Sequence, residues 1–368
     1  ASSIRESRLE SRAQTRELEM LGVRALRHTG RYARVGIRDR NKYTWPNGKK
    51  LAVYIGLNVE EFSYHHPGTL GANIGGTPPD AHREPDVLNW GWRDHGNRVG
   101  VWRLLDVFGE LGVPVAALAN TAVYTTAPRI MEALRENRAE VVGHGVTNAE
   151  RQGAWSEDDE RRMIDEATAH ITRVEGRAPS GWLGPWISQS PVTLDLLAEC
   201  GYTYTMDWAI DDQPVLMATR SGKPMVALPY NHEICDIPAI LAQKVGARDY
   251  GDLIIDAYET MARDCARHDW PLVLSIPLHP FLCGQAHRIG HVRRALEHIV
   301  RDGGDDIWFT RPGDIVQHVL SLPDGTLPPP PTPYAPPPLP EAPAAQTKRV
   351  VHCDALAKPL EPFSQVVT

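Results

Sequence analysis

Glu60 and Glu61 follow directly on an apolar, β-rich run, Leu51–Val59. Carboxyls at such a place can supply a general base or an oxygen ligand. His144 stands between Gly143 and Gly145 at the end of a second run, where the glycines let other groups approach closely. His279 closes a strongly apolar run, Leu272–Leu278, and is followed by Pro280. Near neutral pH an imidazole can both take and give a proton. Other apolar runs end in Trp182-Leu183-Gly184-Pro185-Trp186, in Asp207-Trp208, and in Asn231-His232-Glu233. Each of these has a plainer reading as well. The carboxyl pair could be a solvated turn, His144 a satisfied structural histidine, and the tryptophans core as readily as pocket wall. His65 and His66 read as loop residues within a Gly/Pro-rich segment, Phe62 to Gly96, whose length suits a lid.

The elements that must carry these residues alternate. β-rich runs at Leu51–Val59, Val113–Asn120, Glu140–Gly145, Gly181–Pro185, Tyr202–Asp207, Met225–Tyr230, Leu272–His279 and Ile307–Arg311 are interleaved with helical patterns. The helical stretches are Arg98–Leu111, Pro128–Asn137, Glu157–Glu175, Pro191–Cys200, Leu253–His268, Val292–Asp302 and Pro312–Leu320. Strands alternating with helices of this length form βαβ units around a mainly parallel sheet. The count predicts an α/β fold, a distorted (β/α) barrel of about seven units. An open doubly wound sheet is the alternative, but no GxGxxG or P-loop follows the first strand. In a barrel of this kind chemistry gathers at the C-terminal ends of the strands, where the residues above lie.

Composition narrows the class. The 368 residues are 42% apolar with a net charge of −7, enough for a large core and unsuited to nucleic acid as the main partner. No apolar run is long enough for a membrane span, and no secretory h-region is visible, so membrane partners are not expected. The five cysteines form no CxxC pair and read as free thiols of a reducing cytoplasm. Residues 1–40 carry ten Arg against five acids and read as a basic helical arm, Ser3 to Leu26 at its centre. From Pro323 to Pro343 there are eleven prolines, an extended tail over 323–368 suited to lie as a strap on a surface. Neither end has a core of its own, which predicts burial against neighbours and a homodimer or homotetramer. The catalytic domain is expected over 41–322.

Taken in order, LNVEE, GHG, GWLGPW, YTMDW and LHP resemble the motifs of the polysaccharide deacetylase superfamily. The segments Arg98–Val115, Leu278–Ile289 and Trp308–Ile315 resemble its branch of metal-independent allantoinases and related cyclic-amide hydrolases. The likeness spans roughly 41–320, and it is the ordered set of motifs that carries it. It implies a distorted barrel and hydrolysis of carbon–nitrogen amide bonds. The family's two aspartates after the first strand, a base and a metal ligand, correspond to Glu60 and Glu61. Its two metal-binding histidines correspond to His144 and Asn148, and an amide oxygen is a poor zinc ligand. Its arginine in the fourth motif corresponds to Leu183.

These readings predict an enzyme that hydrolyses amide bonds in a small linear or cyclic amide, imide or ureide. An N-acetyl sugar or peptidoglycan deacetylase is the alternative, and a non-catalytic binding protein on the same fold a third reading. The candidate catalytic residues are Glu60 or Glu61 as base, with a pKa raised by burial, and His279 as acid. His144, Asn148, Trp182, Trp186, Asp207, Trp208 and Glu233 are expected to bind substrate, with Asp207 and Glu233 orienting histidines; Trp90 and Trp92 would add to the aromatic wall. A weakly held divalent metal (zinc) on Glu61 and His144, or none at all, completes the expectation.

Overall fold

The computed structural model describes residues 29–65, 85–331 and 334. The expected N-terminal helices, residues 66–84 of the expected lid and the tail from 335 lie outside the described residues. Among the described residues nine strands form one sheet: β1 (Leu51–Val59), β2 (Val115–Ala119), β3 (Glu140–Gly143), β4 (Gly181–Trp182), β5 (Tyr204–Thr205), β6 (Val215–Met217), β7 (Met225–Ala227), β8 (Leu272–Leu278) and β9 (Ile307–Phe309). The order is β6-β7-β5-β4-β3-β2-β1-β8, with β9 paired to the first residues of β1. All pairings are parallel except β6 with β7, an antiparallel edge hairpin that the periodicity did not announce.

The sheet curls without closing by main-chain pairing, since β6 and β8 are its two ends. Side-chain hydrogen bonds and one backbone bond outside the strand ladders span the gap. Asn231 accepts the Ser275 N–H at 2.7 Å, the Tyr54 hydroxyl donates to the Pro229 carbonyl at 2.6 Å, and Val273 donates to the Asp212 carbonyl at 2.9 Å. The expected barrel is present, in its distorted and opened form.

All nine residues of β1 are buried, as a strand covered on both faces requires. Its side chains divide with period two. Leu51, Val53, Ile55, Leu57 and Val59 pack in the layer beneath the helices, with Ala117, Leu274 and Ile276. Ala52 and Tyr54 face the barrel interior with Leu118, Val142 and Val273. The helices Val101–Leu111, Ala247–His268 and Ile289–Gly303 cover the outer layer. The later part of the expected lid is itself a helix, Val87–His95, capped by the Asp86 carboxylate. Among the described residues no helix is long and apolar enough to cross a membrane.

The described parts of both flanking segments pack on the barrel. Arg31 donates to both oxygens of Asp195, at 2.7 and 2.8 Å, both groups being buried. Tyr334 lies 4.1 Å over the same guanidinium, and Leu327 is buried beside Trp45 and Ile315. Truncating Arg31 strands a buried carboxylate, whose cost is about 3–5 kcal/mol. Arg31→Ala should therefore lower the thermal unfolding midpoint clearly, and a midpoint equal to wild type would show that the segment adds no stability.

Candidate active site

Period two extends past the strand ends. On β1 the inward set Ala52, Tyr54, Gly56 and Asn58 continues to Glu60, so Glu60 turns into the barrel mouth and Glu61 turns away. On β8 the inward Val273 and Ser275 continue to His279, and on β3 the inward Val142 continues to His144. Pairing of Leu57 with Leu278 brings the first two ends together.

The three groups converge on one oxygen. Glu60 Oε1 lies 3.3 Å from His144 Nε2 and 3.6 Å from His279 Nε2, and it accepts the Asn148 amide N–H at 2.8 Å. The ring of His144 is held from behind by its Nδ1, 2.6 Å from the Leu183 carbonyl. His279 Nδ1 lies 2.6 Å from Asp236 Oδ1, and the His279 backbone N–H donates to Asp236 Oδ2 at 2.7 Å. A carbonyl acceptor on His144 and a carboxylate on His279 fix both rings with Nε2 toward Glu60. Two buried acceptors at this centre have no partner among the described residues: Glu60 Oε2 and Asn148 Oδ1.

Asparagines tie the strand ends. Asn120 accepts the Glu61 N–H at 2.8 Å and donates to the His144 carbonyl, while Asn97 donates to the Glu60 carbonyl at 2.8 Å. The turn after His279 is wedged against the π-helical stretch Gly96–Gly100. A Cβ on Gly100 would stand 2.1 Å from the Pro280 carbonyl oxygen, so only glycine admits this approach.

Electrostatics follow from these contacts. Burial works upward on the Glu60 carboxyl, but the facing His279 and His144 more than offset it and hold the group well below the ordinary carboxylate range. This overturns the expectation of a raised Glu60. Burial works downward on His279, yet Asp236 and Glu60 outweigh it, so the ring stays charged well above the usual imidazole range. The resting site is thus a carboxylate–imidazolium pair. Arg93, buried among the rings of Phe62, Trp92 and Phe281, is lowered to about 10 by burial against the pull of Glu60, and remains cationic.

Several predicted residues stand elsewhere. Glu61 is bonded to the Thr126 hydroxyl at 2.8 Å, with its pKa raised by burial, so Glu61 and His144 do not share a metal position. Glu233 is exposed and orients no histidine; that role falls to Asp236. The signal for Asp236 was available, an acid set in the otherwise apolar stretch Ile234-Cys235-Asp236-Ile237. Asp207 accepts the Gly184 N–H at 2.7 Å and bonds Gln189, bracing the loop behind His144 rather than its ring; burial raises it to about 6. Trp182 is fully buried against Tyr202 and Trp92 is buried against Phe281, so both belong to packing. Trp186 and Trp208 are half-buried, donating to the Asn148 carbonyl at 2.7 Å and to Gln189 at 3.0 Å, and Trp90 donates to the Phe62 carbonyl.

The donor set does not fit a catalytic zinc at Glu60. Such sites use three protein ligands; here Asn148 turns its N–H to Glu60, and the donor atoms of Glu60, His144 and His279 are not all within 4.8 Å of one another. A second group could hold a metal ion: Cys235, Asp236 and His279, buried, have one donor atom each within 4.8 Å of one another.

No family model matches the chain. It is 22% identical over 287 residues to the peptidoglycan deacetylase of Helicobacter pylori, covering 70% of this chain and 92% of that one. Among solved structures, a probable polysaccharide deacetylase of Pseudomonas aeruginosa is 26% identical with a TM-score of 0.64, covering 74% of this chain and 92% of that chain. The structure of PuuE allantoinase is also 26% identical, with a TM-score of 0.63, covering 74% and 91%. A curled parallel sheet with its charged cluster at the strand ends, together with these likenesses, defines a hydrolase fold of the polysaccharide deacetylase type. In sequence and in fold the chain is similar to proteins of the polysaccharide deacetylase superfamily.

Proposed function

We propose that the protein hydrolyses the carbon–nitrogen bond of a small amide, imide or ureide through Glu60 and His279. The observation that carries this is the Glu60–His279 pair beside two unpartnered buried acceptors. Glu60 Oε2 is free to hold water, and Asn148 Oδ1 is free to accept a substrate N–H. Water attacks the carbonyl while its proton passes to Glu60, and His279 delivers a proton to the leaving nitrogen. The two transfers assist each other. As His279 gives up its charge, Glu60 loses the cation that held its pKa down and becomes a better base. Arg93 adds positive field to the site as charge develops on the carbonyl oxygen.

Glu60, His144, Asn148 and His279 are each at most 8% exposed, a depth that favours a small molecule over a polymer lying in an open groove. A second reading has its own support. The names of the similar proteins weigh toward deacetylation of N-acetylated glycans more than toward a ureide. Purified full-length protein should turn over small ureides or cyclic imides at least about tenfold faster, in kcat/KM, than N-acetylglucosamine oligomers. A chelator should leave that turnover in place. Preference for the oligomers would establish the second reading instead, and loss of activity on chelation would contradict the metal-free mechanism.

A further inference from the structure

Behind His279, on the side away from Glu60, the thiol of Cys235, the carboxylate of Asp236 and the Nδ1 of His279 face one another. All are buried, and the three donor atoms lie within 4.8 Å of each other. Asp236 Oδ1 is 2.6 Å from Nδ1 and 4.0 Å from the Cys235 sulfur. A tetrahedral zinc bound at about 2.0–2.3 Å to such ligands separates them by about 3.3–3.7 Å. The two spacings to Asp236 are each within an ångström of that, and the sulfur and the ring lie within 4.8 Å of each other. Asp236 can bind through Oδ1 while Oδ2 keeps the His279 backbone N–H at 2.7 Å, so the turn need not unravel.

We propose that Cys235, Asp236 and His279 form an inhibitory site for thiophilic divalent cations of the zinc, cobalt and cadmium class. A sulfur, nitrogen and oxygen set selects these ions over magnesium or calcium, which prefer oxygen alone. On binding, the ion replaces two protons, one from the Cys235 thiol and one from His279 Nδ1, and both leave to solvent. No oxidant or reductant takes part. The consequence for catalysis rests on the function proposed above. An imidazole metallated at Nδ1 holds its Nε2 proton much more tightly than an imidazolium does. His279 then cannot deliver that proton to the leaving nitrogen. The position is separate from the Glu60–His144 end, and Cys235 has no task in the proposed reaction.

Titration of the full chain with Co²⁺ tests the site without any substrate. Wild type should bind one ion per chain with a thiolate-to-cobalt charge-transfer band. That band should be lost in Cys235→Ala and kept in His144→Ala. If Cys235→Ala does not fold, Cys235→Ser serves, and it too should lose the band. Metal-free Cys235→Ala should turn substrate over as wild type does, and Zn²⁺ should inhibit wild type at least about tenfold more strongly than this variant. Absence of the band in wild type, its persistence without Cys235, or its loss in His144→Ala overturns the proposal. Failure of the proposed hydrolysis is separate, because it would remove turnover and leave the band.

Discussion

His279→Ala is expected to lower kcat by a factor of about 10²–10⁴, the usual range for losing general acid–base help. An amide nitrogen leaves poorly as an anion, and His279 is the charged donor facing Glu60. A mouth position read from sequence alone would suggest little cost to folding. Asp236 changes that. Its Oδ1 would keep only the long contact from the Cys235 thiol, and it is fully buried, so the variant leaves a carboxylate without its cation, at a cost of about 3–5 kcal/mol. The double variant His279→Ala, Asp236→Asn should recover much of that stability and none of the activity. Restored stability with kcat still low separates chemistry from packing. A single variant that keeps wild-type kcat would remove His279 from the reaction.

Glu60→Gln should be comparably damaging, again by about 10²–10⁴ in kcat, because the amide can neither take the proton from water nor hold the imidazolium. It carries a second signature in pH. Glu60, held low, is ionised until the pH falls through its depressed value, and His279, held high, stays charged until the pH rises through its elevated one. Wild-type activity should therefore form a broad plateau with limbs on the far acid and alkaline sides. In Glu60→Gln one of the two anions supporting His279 is gone, so the alkaline limb should move to lower pH. Stability follows the same signs. The Glu60 contribution is present above its unfolded value of about 4.3 and is lost only as pH falls through the depressed one. The His279 contribution is complete below about 6.5 and is lost as pH rises through the elevated value. A pH profile with an unmoved alkaline limb would show that Glu60 does not act on His279.

Much of the site was readable because β-strand geometry repeats every two residues. The parity of Ala52, Tyr54 and Asn58 separates Glu60 from Glu61, and the same parity carries Val142 to His144 and Ser275 to His279. The acids and tryptophans assigned by closeness to a strand end alone fared differently. Glu233 is solvated, since the chain leaves the strand register beyond β7, whereas Trp182 is still within β4 and packs outward with Tyr202 while Leu183 takes the inward side. Asp236 escaped notice because it stands on an irregular turn, Ile234 to Ile237, whose path depends on packing against β8.

The sequence by itself determined the alternating architecture, the C-terminal strand ends as the place of chemistry, and the residue types available there. Local propensity and hydrophobic period are enough for that. Only the tertiary structure decided which carboxyl meets the histidines, which acid lies behind His279, and the direction in which Glu60 is shifted. Those properties arise from groups 43 or more residues apart brought close together in a site nearly closed to water. A charge there is set by its neighbours, and no stretch of sequence contains them all.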